Sequence, residues 1–514
     1  MFRIGVDVGG TNTDAVLMNG KEVVDGYKSA TTEEPGLGII NAVSKILNKN
    51  KTDTNNIESV MIGTTQFTNA FVENKRLEQV AVVRLGYPAT VSVPPCIDFS
   101  DNLRKIIGEN FWIVNGGYEF DGRLLGDWSE DEIIKVAIEI KNKKLKYITI
   151  SCVFSPINEK QEIDTANIIK KYNPDSIITM SHRIGRVGFV ERENATIMNS
   201  SLGKLADKVI SSFKDALKEL QIKSPFYISQ NDGTLMSADI VKNYPVLTFA
   251  SGPTNSMRGA GFLSKKDNAI VVDIGGTTTD FGVIKDGFPR ESAIPVDIGG
   301  VRTNFRMPDL ISIGLGGGSI IRANDNKVSV GPDSVGFKLD RESLIFGGKT
   351  ITTSDITVAS GDANFGDKSK VQHLTNDLIT KSQIKIKNMI EEGIDRVKLN
   401  KEDVPVILVG GGSILVNGKL KGASEVLIPD HSDVANAIGA SLAQAGGEID
   451  KIYSYSEMGR EKSLENAKND AINRALQAGA IEDTIKIIEL EEIPLSYLPS
   501  GSVRIHAKAV GDIF

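Results

Sequence analysis

Two short stretches carry the residue types from which phosphate chemistry is made. The first reads Val6-Asp7-Val8-Gly9-Gly10-Thr11-Asn12-Thr13-Asp14 and the second Val272-Asp273-Ile274-Gly275-Gly276-Thr277-Thr278-Thr279-Asp280. Both follow the pattern D-[VI]-G-G-T-x-T-D. Adjacent glycines let a backbone approach an anion closely, and successive N–H groups beside threonine hydroxyls can then cradle phosphate oxygens. The candidate phosphate contacts are Gly9, Gly10, Thr11 and Thr13 in one copy, and Gly275, Gly276, Thr277 and Thr278 in the other. Asp7 and Asp273 would repel a polyphosphate unless a divalent cation stood between them. The pair therefore implies Mg2+, held partly through water. Asp14 and Asp280 are second carboxylates, orienting the metal or positioning a nucleophile. A single Gly-Gly-Thr turn is often only a tight hairpin. Turn chemistry alone does not demand two copies with both aspartates kept in register.

Each copy needs the same scaffold, and the flanks repeat as well. An apolar run (2–8 and 269–274) leads in, a short strand (15–18 and 281–284) leads out, and Asn19-Gly20 or Asp286-Gly287 then signals a hairpin. A repeat decides a fold, and this one gives two related β-β-β halves. A helix is expected over 35–49, started by Pro35. A strand over 59–62 ends at Gly63-Thr64-Thr65, where ligands gather in α/β sheets. Thr64, Thr65 and Asn69 are thus candidate substrate contacts, with helix N-capping as the alternative. Strands over 79–85, 147–154 and 176–180 alternate with helices over 130–141 and 159–171, and 86–126 reads as an irregular excursion. A helix over 254–262 offers its N-terminus to an anion. Further on, apolar strands over 310–314 and 404–409 end at Gly316-Gly317-Gly318-Ser319 and Gly410-Gly411-Gly412-Ser413. From 451 the pattern changes to a charged helix (461–476) and two strand-like runs (484–491 and 502–510), read as a small α+β appendage and a candidate for subunit contact.

Composition sets the bounds. A chain of 514 residues is too long for one core, so two to four domains are expected. With 40% apolar and 24% charged residues it reads as an ordinary globular protein. A formal charge of −7 leaves no basic footprint for nucleic acid. No apolar run approaches the roughly 18 residues of a membrane-spanning helix, and the opening residues lack a signal-peptide pattern. The two cysteines are too few for a disulfide framework, and Cys152 falls in a core strand. The four histidines lack close metal-ligand spacing. A cytoplasmic enzyme fits best.

The doubled turn resembles the two phosphate loops of the actin, Hsp70 and sugar-kinase ATPase superfamily. Within it, the chain is similar to the ATP-binding A-type subunit of the hydantoinase/oxoprolinase family. Supporting segments are Gly63-Thr64-Thr65 with Thr68-Asn69-Ala70, Ser181-His182 followed by Glu191-Arg192, and Gln230 to Ala238. Ser251-Gly252-Pro253, Gly316 to Ile320 and Val330 to Ser334 then follow in family order. The likeness spans roughly residues 2–445. It departs at Ile62, where the family has histidine, at Thr234, where it has glycine, and at Val335-Gly336-Phe337-Lys338, where it usually has a PGP segment with a cysteine. These departures bear on substrate identity. The resemblance implies an α/β fold with duplicated actin-like (ribonuclease H-like) halves around a nucleotide cleft. Its divisions are 1–190, 191–450 and the appendage 451–514. It implies that 194–220 crosses between the halves, that the small-residue helix over 434–445 is a second connecting helix, that Gly316 and Gly317 meet a ligand, and that Gly410, Gly411, Gly412 and Ser413 form a flat shelf for adenosine. His182 and Asn231 become substrate candidates. The implied activity is ATP-dependent hydrolysis of a cyclic amide such as a hydantoin or 5-oxoproline, with a B-type partner subunit and homo-oligomerisation left open. The rivals are an ATP-driven conformational protein, a small-molecule kinase and a carboxylase subunit.

Overall fold

The structure, a computed structural model, describes residues 2–10, 12–30, 34–324, 327–442, 444–495 and 501–513. Thr11, one of the expected phosphate contacts, lies outside the described residues. The strand Phe2–Val8 is buried on both faces from Ile4 onward, so its sequence there does not alternate, and Asp7 is the one charged side chain in the buried run. It pairs antiparallel with Asn12–Asn19 and parallel with Ile57–Thr64. The strand Ala269–Ile274 does the same with Thr279–Lys285 and Val404–Val409. The two halves are thus built alike at their centres, as the repeated sequence predicts.

Around the first centre runs a nine-stranded sheet. Its order is Lys486–Pro494, Ser502–Gly511, Ala445–Ser454, Leu235–Ser237, Phe226–Ser229, Ile57–Thr64, Phe2–Val8, Asn12–Asn19 and Glu22–Ala30. Around the second is a six-stranded sheet that also holds Ala423–Leu427, Phe288–Pro289 and Leu310–Ile313. The excursion after the first half forms a parallel four-stranded sheet, Asn110–Asn115, Val80–Tyr87, Tyr147–Cys152 and Ile177–Met180, with its own apolar core in which Cys152 is buried. Sheet membership cuts across the expected divisions at 190 and 450. Strands at 226–237 and 445–511 close the first sheet, because Leu235 pairs parallel with Ala445 and the C-terminal hairpin continues outward from there.

The two sheets are joined by a helix crossing. Ser251–Ser264 lies on the second sheet, Ala435–Leu442 lies on the first, and the two helices touch face to face. A Cβ on Gly439 would stand 1.8 Å from the Asn255 carbonyl oxygen, and one on Gly259 would stand 1.9 Å from that of Ala435. Only glycine permits this approach. The stretch over 194–220, expected to make the crossing, is instead two helices, Phe189–Ser201 and Gly203–Glu219, broken at Leu202. They pack mainly on Tyr147–Cys152 and on the helix Pro35–Asn50. Their large side chains, Met198, Leu205 and Phe213 among them, need a deep apolar bed, which a close crossing does not offer. No helix among the described residues is long and apolar enough to cross a membrane.

Candidate functional site

The hairpin register places Asp7 opposite Asp14 and Asp273 opposite Asp280. On each parallel neighbour a glycine makes room for the first carboxylate. A Cβ on Gly63 would stand 2.3 Å from Asp7 Oδ1, and one on Gly410 would stand 2.4 Å from Asp273 Oδ1. The two turns also close alike, with Gly9 N–H donating to the Asn12 carbonyl at 3.0 Å and Gly275 N–H to that of Thr278 at 2.9 Å. Those two N–H groups serve the turns themselves. Among the described glycines of the turns, Gly10 and Gly276 are left to meet an anion, the latter with nothing within 4 Å of a Cβ position.

Both turns open onto one cleft of about 380 Å3. Asp7, Asp14, Asp273, Gly9, Gly275, Gly276 and Gly317 line it from two sides, and Gly410, Gly411 and Gly412 form a shelf beside Leu339, Phe365, Ile414 and Leu415. The sequence reading missed three polar side chains here. Asn436 Nδ2 donates to Asp7 Oδ2 at 3.0 Å and to Asp14 Oδ2 at 2.8 Å, bridging the two carboxylates. Lys28 Nζ stands 2.9 Å from Asp14 Oδ1. Asn255 is fully buried beside Asp7, with both its amide nitrogen and its oxygen unpartnered. The Lys28 pair was legible in principle, since Lys28 faces Asp14 across the next hairpin. Asn436 and Asn255 come from helices far along the chain and leave no local signal.

Several expected contacts go elsewhere. Thr13 is buried against Gly38 of the helix Pro35–Asn50, because neighbours on a strand point to opposite faces and Asp14 takes the cleft side. Thr277 and Thr278 lie in the turn but do not line the cleft, and neither does Ser413. Gly316 is explained by another backbone: its Cβ position lies 2.5 Å from Thr277 N. Gly317 and Gly318 donate to the carbonyls of Gly275 and Gly276 at 3.0 and 2.7 Å, which buttresses the second turn. Thr64 accepts from Gln66 N at 3.3 Å, a role at the start of the helix Gln66–Val72. Thr65 N–H and hydroxyl both reach the Val8 carbonyl, at 3.2 and 3.5 Å, and Asn69 Nδ2 lies 3.5 Å from a Cβ position on Gly10. Asn231 spends its side chain on backbone, donating to Val246 and Arg306 and accepting from Ala250 at 2.8 Å, so it holds structure and is not free for substrate. His182 is held by Glu162 at 2.6 Å and lines a different cavity.

The charges show what the cleft lacks. Burial, and then the neighbouring Asp14, raise Asp7 to about 7. Burial raises Asp273 against a hydrogen bond from Ser256, and behind it, off the cleft wall, burial raises Asp280 to about 6 against one from Ser312. Asp7 Oδ1 is buried with no hydrogen-bond partner. Crowded carboxylates, one with an oxygen unpartnered, make a site short of positive charge. This donor set suits a hard divalent cation, directly or through water.

Residues 3–173 match the family described as hydantoinase/oxoprolinase N-terminal region, and 192–367 match hydantoinase/oxoprolinase. The caprolactamase subunit alpha of Pseudomonas jessenii is 26% identical over 396 residues, covering 70% of this chain and 54% of its own. The acetophenone carboxylase gamma subunit of Aromatoleum aromaticum is 23% identical over 391 residues, covering 70% and 53%. The chain thus spans about half the length of these two curated relatives. The crystal structure of the ATP-dependent caprolactamase from Pseudomonas jessenii superposes with a TM-score of 0.81 at 18% identity, over 99% of this chain and 87% of that one. Its fold is the fold described above.

Proposed function

The chain belongs to the hydantoinase/oxoprolinase family, and from that premise we propose that its cleft takes Mg·ATP and activates the carbonyl of a cyclic amide such as a hydantoin or 5-oxoproline. The observation that carries this reading is the pair of like-built turns facing one cleft, each with an aspartate on its wall, Asp7 buried and Asp273 half-buried. Asp7 and Asp273 are the residues that would hold Mg2+. The ion would supply charge neutralisation on the phosphates. Gly276 on the cleft wall, and Gly10 next to the lining residue Gly9, offer backbone N–H groups to phosphate oxygens, and the glycine shelf with Phe365, Ile414 and Leu415 offers a flat apolar seat for adenosine. Asn436 and Lys28 hold Asp14 in place. Asp14 lines the cleft and is then positioned to orient the reacting groups, whereas Asp280 stands opposite Asp273 on the hairpin, off the cleft wall, and is bonded by Ser312.

The chemistry is phosphoryl transfer, in which the protein contributes positioning and charge compensation. A bond forms from the lactam carbonyl oxygen to the γ-phosphorus while the bond from that phosphorus to the ADP oxygen breaks. The product is an imidate-like phosphate, whose carbon is a far better target for water than the amide was. A B-type partner subunit would complete the ring opening. The relatives named as subunits of caprolactamase and of acetophenone carboxylase support a multi-subunit setting. The second of them also supports an alternative, ATP-driven carboxylation of a ketone.

The test is Mg2+-dependent phosphate release from ATP across hydantoins, 5-oxoproline, larger lactams and simple ketones, each with and without bicarbonate. Stimulation by one cyclic amide, lost on chelation, is the expected result. Stimulation by a ketone only with bicarbonate would move the assignment to carboxylation. A flat response with ATP bound would overturn substrate activation by this chain alone and favour an ATP-driven conformational role.

A further inference from the structure

A second cavity, about 720 Å3, shares none of its lining residues with the cleft. It opens between the four-stranded sheet's outgoing loops (120–122, 155–159 and 182–186) and the C-terminal elements at 448–474. Its walls are polar, and most of its charges are already matched. Lys451 stands 3.0 Å from Asp470, and Arg186 stands 2.8 Å from Glu291 and 3.3 Å from Asp450. Arg306 is paired with Asp232 at 2.8 Å and with Glu448.

Two guanidinium groups remain. Among the described residues, exposed Arg183 bonds only to His182 Nε2 at 3.1 Å, and Arg474 only to the Glu448 carbonyl at 2.7 Å. Among the described residues no carboxylate stands within ion-pair distance of either. Both line this cavity; burial, and next the Arg183 charge, lower the pKa of Arg474, while Asp470 and Glu448 act in the other direction without reaching ion-pair distance. The Tyr453 hydroxyl on the same wall is buried with no hydrogen-bond partner. Two unmatched cations and an unmatched hydroxyl donor on one cavity are the complement of an anion.

We infer that this cavity binds a small organic carboxylate, held by Arg183 and Arg474 with the Tyr453 hydroxyl donating to it. Its volume lies in the range of small-molecule sites and far exceeds inorganic phosphate. The carboxylates already on its rim, Glu159 and Asp470 among them, oppose the dense charge of a phosphate more than the spread charge of a dicarboxylate. Planar guanidinium forks match carboxylate oxygens two by two. The site stands apart from the nucleotide-cleft reading and does not depend on it.

The test is calorimetric titration of the full chain with succinate, with inorganic phosphate in parallel. Succinate is expected to bind, and Arg183→Gln and Arg474→Gln are each expected to weaken it at least tenfold. Tyr453→Phe should weaken it less, about threefold, and ATP affinity should be unchanged in all three. Arg183 is exposed, so its variant keeps the test sound even if Arg474→Gln fails to fold. Absence of succinate binding, binding indifferent to Arg183→Gln, or binding of phosphate in place of succinate would each overturn the inference.

Discussion

Asp7 is the residue whose surroundings say most. Its carboxyl sits at about 7 when folded against 3.8 as the ordinary value, raised by burial and then by Asp14. The folded chain therefore holds that proton longer than the unfolded chain, so without metal its stability falls as pH rises from about 4 to 7. The loss amounts to at most about 4 kcal/mol by the usual conversion. Asn at this position keeps an acceptor for Asn436 and removes the charge. Asp7→Asn is thus expected to raise the melting temperature of the Mg2+-free chain by a few degrees at pH 8 and hardly at all at pH 4, while abolishing Mg2+-dependent ATP turnover. Thermal unfolding at the two pH values checks the first part; an identical pH profile in the variant would remove the electrostatic account. The aspartates and glycines were legible because each motif is contiguous. Gly63 and Gly410 were visible only as strand ends, since their reason is the width of a carboxylate on the neighbouring strand. Asn436 and Asn255 could not be read at all, because what makes them matter is the aspartate they reach across the fold.

At the scale of elements, the part most open to test is the crossing of Ser251–Ser264 with Ala435–Leu442. These helices carry Asn255 and Ser256 on one side and Asn436 on the other, so their separation sets how the cleft's carboxylates are held. Gly439 faces backbone, not a side-chain tip that could swing away. Gly439→Ala must therefore push the helices apart, at a cost of about 1–3 kcal/mol or more. Reduced stability in denaturant, together with ATP turnover lowered at least tenfold, is expected. Turnover at the parent rate would mean that helix separation does not govern the cleft. The sequence made the small-residue helix plain through Ala437, Gly439 and Ala440. It did not name the partner, and the expectation fell on 194–220 because long apolar periodicity is the louder signal. Close crossings are written in small residues, which periodicity underweights.

For the molecule as a whole, the question is whether residues 451–513 are an addition or part of the frame. By sequence they read as an appendage, since their charged helix and short strands carry no recognised chemistry. In the fold, Ser502–Gly511 lies between Ala445–Ser454 and Lys486–Pro494 as continuous members of the first sheet. The helix Arg460–Ala478 presents Ala467, Ala471, Ala475 and Ala478 to the same apolar core that holds Val6 and Ile62. A buried charge network adds to this. Lys508 stands 2.9 Å from Asp232 and 3.4 Å from Glu291, while His506 stands 2.6 Å from Glu448. Burial works against the Glu448 carboxylate, yet Arg306 and His506 outweigh it and hold it at about 2. Removing the C-terminal strands would leave Asp232 and Glu291 without Lys508, with only Arg306 and Arg186 to offset them, and would strip His506 from Glu448 and the alanine face of Arg460–Ala478 from the core. A chain cut after residue 450 should therefore lose ATP binding and melt at least 10 °C lower than the full chain, or fail to fold. A truncated chain that binds ATP normally and melts within about 2 °C of the parent would return the segment to the status of an appendage. The point variant Lys508→Met separates the two contributions: it should lower the melting temperature by several degrees, as the charge network requires, while leaving the sheet extension in place.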